Sequence, residues 1–134
     1  MRTIERAGEQ VEMGMLIETR LSEQIARYLD LATSQAKLTA ANMANLDTPG
    51  YHTQGMNFDA EMRDALAAVD ENRPGHSVQV GEVDGLIARP DGNDVSMDRE
   101  SLNLAEAQLK FKTGVALLRE EYQRVLDAIH ADSK

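Results

Sequence analysis

Residues 96–130 read SMDRESLNLAEAQLKFKTGVALLREEYQRVLDAIH. Ser96 is placed to cap a helix, with Asp98 and Glu100 in the first turn, where carboxylates favour the positive end of the helix dipole. From there Leu104, Gln108, Phe111, Val115, Leu118, Tyr122, Val125 and Ile129 follow at steps alternating four and three. That spacing marks one face of a helix. Leu102, Leu109 and Leu126 widen the apolar face. The pattern predicts a helix reaching about His130, roughly 50 Å long at 1.5 Å per residue.

A counterpart lies in the first half of the chain. From about Thr19 to Asn45, Leu21, Ile25, Tyr28, Ala32, Gln35, Thr39 and Asn42 repeat the same spacing, and Leu29, Ala36 and Met43 recur every seven. This is a heptad-like stripe. Its second half turns small and polar, suited to close packing against another backbone or to hydrogen bonds across an interface. Asp47-Thr48-Pro49-Gly50 stops the helix: Pro49 lacks an N–H and pushes Thr48 out of the helical region, and Gly50 tolerates positive φ.

Between the two stripes the signals are shorter. Phe58, Met62, Leu66 and Val69 mark a short helix over Phe58 to Val69. Asn72-Arg73-Pro74-Gly75 then breaks the chain. Ser77 to Val83 reads as a strand, and Asp84-Gly85 as a hairpin turn into a second strand, Leu86 to Arg89. A lone hairpin is marginal in water, so much of 51–95 is expected to be mobile in the free chain or to pack only in an assembly. The acidic run Asp59, Glu61, Asp64 reads as a solvated helix face, and Asp91-Gly92-Asn93-Asp94 as a turn. The latter lacks the ligand alternation, the sixth-position glycine and the closing Glu of a calcium loop.

Composition narrows the function. With 134 residues the chain holds one domain at most, and aromatics are only 4% with no Trp, so few large rings can anchor a core. The free monomer is expected to be marginal or partly unfolded. A net charge of −9 opposes binding to nucleic acid or to an anionic membrane surface. No cysteine is present, which removes thiolate chemistry and zinc–thiolate sites. No apolar run is long enough to insert in a membrane, and the first residues lack a signal-peptide core. His52, His76 and His130 show no ligand spacing, and no carboxylate stands with an obvious base, nucleophile or phosphate loop. No enzyme, metal or cofactor is expected.

The expected fold is mainly α: an antiparallel, coiled-coil-like pair of long N- and C-terminal helices with a loop and short β-hairpin middle region. Residues 1–18 would form an N-terminal extension disordered until assembly, 19–50 the first helix and its stop, 51–95 the middle region, and 96–134 the last helix. The helix seam, Leu21, Ile25, Tyr28, Ala32, Leu104, Phe111, Val115, Leu118, Tyr122, Val125 and Ile129, would double as an assembly interface. A soluble coiled-coil adaptor or chaperone fits the same pattern.

The segment Ala41-Asn42-Met43-Ala44-Asn45-Leu46-Asp47-Thr48-Pro49-Gly50-Tyr51 resembles the N-terminal signature of the flagellar axial proteins, the rod, hook and hook-associated subunits, at all eleven positions. Asp91-Gly92-Asn93-Asp94-Val95-Ser96-Met97-Asp98-Arg99-Glu100 is similar to the lead into the last helix of the proximal rod subunits of that family; another short rod subunit is the alternative. The resemblance implies a structural subunit of the basal-body rod, exported by the flagellar type III apparatus without a cleaved signal peptide and polymerised in the periplasm through its terminal helices. Its implied partners are copies of itself, other rod subunits, the rod–ring junction protein, the MS ring and the export gate. Within the motif, Asn42 and Asn45 would hydrogen-bond to backbone or a neighbouring helix, Pro49-Gly50 would set the turn, and the Tyr51 ring would pack against the helix pair.

Overall fold

A computed structural model describes residues 2–133; Met1 of the expected extension and Lys134 of the expected last segment lie outside them. The order is α1 (Arg2–Ala44), β1 (Gln54–Gly55), α2 (Phe58–Asp70), β2 (Gly81–Glu82) and α3 (Met97–Asp132). The fold is mainly α, with two long terminal helices paired antiparallel and a two-stranded antiparallel sheet in the middle. Asn42 meets Glu100, Gln35 meets Lys110, and Leu29 meets Gly114, so the two helices run in opposite senses.

α1 begins at Arg2 rather than near Thr19. Adding turns to a formed helix is far cheaper than nucleating one, so the packed part of α1 carries the polar stretch before it as helix. Arg2–Glu9 are exposed throughout. α3 starts where Ser96 caps it, the side-chain oxygen accepting from the Arg99 N–H. α2 is capped by Asn57, which accepts from the Ala60 N–H.

The face by which α3 meets α1 differs from the expected stripe. The buried positions are Glu100, Ala107, Gly114 and Glu121. At 100° per residue this face lies about 70° round the helix from the row through Leu104, Phe111 and Tyr122. Leu104, Val115, Leu118 and Val125 are half-buried along its edge, while Phe111, Tyr122 and Ile129 are exposed. The cause is close approach. A Cβ on Gly114 would stand 2.5 Å from Leu29 Cδ2 and 3.0 Å from Tyr28 Cδ1. Small residues let the backbones come together, and α3 rotates to present them. On α1, Ile25, Ala32, Thr39 and Asn42 are buried and Tyr28 half-buried, but Leu21 is exposed.

α2 packs on another side of α1, where Leu31, Ala68 and Val69 are buried. The Tyr28 and Phe58 rings meet edge to face at 5.8 Å, and the Lys110 ammonium sits 3.9 Å from the centre of the Phe58 ring.

The expected hairpin does not form. Asp84-Gly85 does turn, with Gly85 at φ 78, but 86–89 is not a strand. β2 instead pairs back with β1, Gln54 opposite Glu82 and Gly55 opposite Gly81. Leu86 to Arg89 leads the chain to the end of α1, where Arg89 donates to the Leu46 carbonyl, a bond a hairpin would forfeit. The acidic run is not a simple solvated face either: Glu61 is buried and accepts from the Gln79 N–H, and Asp64 takes the Arg73 guanidinium.

Candidate functional site

The end of α1, the turn after it and the lead into α3 close on one another through buried polar groups. Asn42 is 1% exposed. Its amide Nδ2 donates to the Gln54 carbonyl at 2.8 Å and to Glu100 Oε2 at 3.1 Å. Its Oδ1 accepts from the Gln54 N–H at 3.0 Å and the Tyr51 hydroxyl at 3.1 Å. Both donors and the full acceptor capacity of the amide are therefore used. One side chain binds β1, the turn and α3 at once.

Asn45 works more locally. Its Nδ2 donates to the Ala41 carbonyl, and its Oδ1 accepts from the Thr48 hydroxyl. Gly50 stands at φ 71, and its N–H donates to the Asp91 carbonyl at 2.9 Å. Gly92, at φ 81, passes so close that a Cβ there would lie 3.4 Å from the Gly50 Cα. Of the remaining motif positions, Met43 is half-buried, and Ala41, Ala44, Thr48 and Pro49 are exposed. The half-buried Tyr51 is fixed by its hydroxyl on Asn42.

Asn93, read from sequence as part of a turn, is fully buried. Its Nδ2 donates to the Asn45 and Thr48 carbonyls at 2.9 and 2.8 Å, and its Oδ1 accepts from the Val95 N–H at 2.8 Å. Helix ends leave carbonyls without partners, and Asn93 and Arg89 supply them at the end of α1. Next to it, Asp94 Oδ1 accepts from the Thr53 N–H at 2.6 Å and the Thr53 hydroxyl at 2.8 Å, and His52 Nδ1 lies 3.1 Å from Asp94 Oδ2. Burial pushes the Asp94 carboxyl up, but the Thr53 bonds and His52 outweigh it and hold it below the usual carboxylate value. The Asp94 hydrogen bond and then the Glu82 charge raise His52 above the ordinary histidine value.

Glu100, read from sequence as a first-turn carboxylate favouring the helix dipole, is buried, with Asn42 on one oxygen and no partner on Oε1 among the described residues. It lines an open groove of about 660 Å³ between α1, α3 and the β pair, with Thr39, Gln54, Phe58 and Lys110. Lys110 is engaged there by Gln35 and Glu106.

The structure thus brings Asn42, Asn45, Gly50 and Tyr51 into one clasp, and strings Ile25, Tyr28 and Ala32 along the α1–α3 contact. Phe111, Tyr122 and Ile129 remain outside it. Asn93, Asp94, Thr53, Glu100 and Gly114 complete the arrangement and were not singled out as site residues from sequence. The available signal was an Asn and an Asp in a glycine turn facing a helix end rich in orphan carbonyls. The chemistry of the clasp is structural: amides and carboxyls are spent on backbone partners. Among the described residues no cluster of three or more His, Cys, Asp or Glu is arranged to hold a metal ion, and no helix is long and apolar enough to cross a membrane.

No family model matches the chain. It is 29% identical over 119 residues to the flagellar basal body rod protein FlgB of Salmonella typhimurium, covering 75% of this chain and 86% of that one. To the protein of the same name from Escherichia coli it is 26% identical over 121 residues, covering 77% and 88%. To that of Cereibacter sphaeroides it is 29% identical over 117 residues, covering 80% and 91%.

Proposed function

From its membership of the FlgB family of flagellar basal body rod proteins, we infer that this chain, a structural subunit of the bacterial flagellar rod, assembles through α1 and α3. One observation carries this reading: α3 spends its small residues on α1 and leaves its large apolar ones outside. Leu102 is 69% exposed and Leu109 65%, on the side of α3 turned away from α1, and Ile129 is 57% exposed, with Phe111, Tyr122 and Leu126, on its flank. Fully burying such a side chain stabilises by about 1.5–3 kcal/mol. A row of them on a long helix gains that only against another chain.

The polymer that follows is a tube in which copies and other rod subunits meet head to tail, through contacts that need not close into a ring. The chain crosses to the periplasm unfolded, through the flagellar type III apparatus. It orders as it joins, so the entropy cost of folding falls at assembly. Its neighbours at the base are the rod–ring junction protein, the MS ring and the export gate. The role is mechanical, and catalysis has no part in it. The motif from Ala41 to Tyr51 acts as the clasp that fixes where α1 ends relative to α3, and so the shape each copy offers the next.

Deleting the gene and imaging purified basal bodies by electron microscopy tests this. The expected result is loss of the rod with the inner ring retained. An intact rod in the deletion strain contradicts the reading.

A further inference from the structure

Among the described residues the most exposed large apolar side chain is Ile87, at 93%. It rides on a turn held at both ends. The Val83 N–H donates to the Thr53 carbonyl at 2.9 Å, and Gly85 turns the chain at φ 78. The Arg89 N–H then donates to the Asn93 carbonyl at 2.8 Å, and its guanidinium reaches the Leu46 carbonyl just past the end of α1. Leu86 is half-buried, and Ile87 beside it stands out into solvent. A tip tied down in this way has little freedom left to lose on docking.

A receptor of matching chemistry lies on the flank of α1. Leu38, Ala41, Met56, Val78 and Val80 line an open apolar groove of about 350 Å³, with Lys37 as the charged residue of its lining. Val80 is 52% exposed there. No residue of 84–89 lines the groove. The tip is anchored at Leu46, whereas the groove takes its α1 residues from 34–41, about two turns earlier. Tip and groove of one copy are thus displaced along α1 and do not fill each other. Their charges are opposite and unspent: Lys37 and Asp84 are both exposed, and neither makes an ion pair within the subunit among the described residues. In a chain of net charge −9, a cation on an apolar rim is where an acidic tip approaches without repulsion.

Resting on the rod reading, we propose that Ile87 of one copy of this chain seats in the α1 groove of the next copy, with Asp84 against Lys37. Asp84 and Ile87 share one short turn, so one approach delivers the apolar side chain to the groove and the carboxylate to its rim. A knob and a pocket at different places on one molecule make a heterologous contact, which repeats from copy to copy without closing. That is the geometry a tube of copies needs. Ile87 and Val80, both wet in the free subunit, leave water together, which favours the contact. The outer row of α3 takes no part: this junction joins copies through the middle region.

The chain has no cysteine, so engineered thiols report only their own contact. Basal bodies are purified from a strain co-expressing two full-length alleles, Ile87→Cys and Val80→Cys, and run on non-reducing gels. A disulfide needs Cβ atoms about 3.5–4.5 Å apart. The expected result is a reducible dimer of the chain that neither allele gives alone. Adding Lys37→Glu to the Val80→Cys allele should lower the dimer yield about two- to fivefold, the factor an exposed ion pair carries. Adding Asp84→Lys to the Ile87→Cys allele as well should restore it. Complete rods without that dimer overturn the proposal and leave the rod reading standing, as does a dimer equally abundant from Ile87→Cys alone. Should the thiol alleles build no rods, soft-agar motility of Lys37→Glu, Asp84→Lys and their combination decides: recovery in the combination supports the contact, and a combination no better than the single variants overturns it. Basal bodies from the parent that contain rods but none of this chain sink the rod reading itself.

Discussion

Replacing Asn42 with alanine removes four hydrogen bonds from one buried point. The partners are not equally harmed. The Tyr51 hydroxyl is half-buried and can turn to water. The Gln54 N–H and carbonyl sit in a part-buried strand, and each loses its bond to Asn42. Glu100, 1% exposed, loses the one hydrogen bond its carboxyl makes. A bond of this kind nets about 0.5–1.5 kcal/mol, and a buried group left unsatisfied costs about 1–3 kcal/mol. Counting the two part-buried Gln54 bonds at their net value, Glu100 as left unsatisfied and Tyr51 as nearly free gives a loss of about 2–6 kcal/mol. Small domains have about 5–15 kcal/mol in total, so the change removes a large share of it. Urea unfolding followed by circular dichroism measures it as a shift in midpoint at constant slope. Asn42→Asp is the sharper companion: nearly the same shape, but with no donors and with a second carboxyl about 3 Å from Glu100, it should do at least as much damage. An Asn42→Ala chain within about 1 kcal/mol of the parent would refute the role given to this side chain.

Gly114→Val should destabilise the subunit by about 1–3 kcal/mol, because overpacking against Leu29 and Tyr28 outweighs the smaller gain from replacing a helical glycine; a raised urea midpoint would contradict this. Asp94, depressed in the folded state, gives stability that is present above the unfolded carboxylate value and lost as pH falls through the folded one. Thermal melts of the parent should therefore weaken below about pH 4, and Asp94→Asn should start lower at neutral pH and lose less on acidification. Gly50→Val forces a β-branched residue to φ 71, a strain of about 1–3 kcal/mol, at the point that takes the Asp91 carbonyl; soft-agar motility should drop, and normal swarming would count against the turn's role.

The starts of α2 and α3 and the end of α1 were legible because their signals are local. Ser96 caps α3, Phe58 opens α2, and Thr48-Pro49-Gly50 ends α1 through backbone restrictions that need no partner. The rotation of α3 was not legible. A stripe reading weighs large apolar side chains, whereas the α1–α3 contact was chosen by close approach, which selects Ala107 and Gly114. Phe111 and Tyr122 then fall outside that contact. The β pairing escaped for a different reason: two residues on each side, separated by all of α2, leave no periodicity to detect. Asn42 could be marked as an interface residue from its place on the seam. Its partner Glu100 could not, since a first-turn Glu reads equally well as a dipole-favouring surface group. The helical start at Arg2 shows the converse limit, where propagation from a packed helix extends beyond any sequence stripe.

The central claim is that the outward apolar row of α3 finds its burial in neighbouring rod subunits. It is tested most directly by a double substitution, Leu102→Glu with Leu109→Glu, at two positions exposed in the subunit. Circular dichroism and the urea midpoint of the purified chain should match the parent, while basal bodies from the mutant strain should lack the rod by electron microscopy. Complete rods built from that variant would contradict the account.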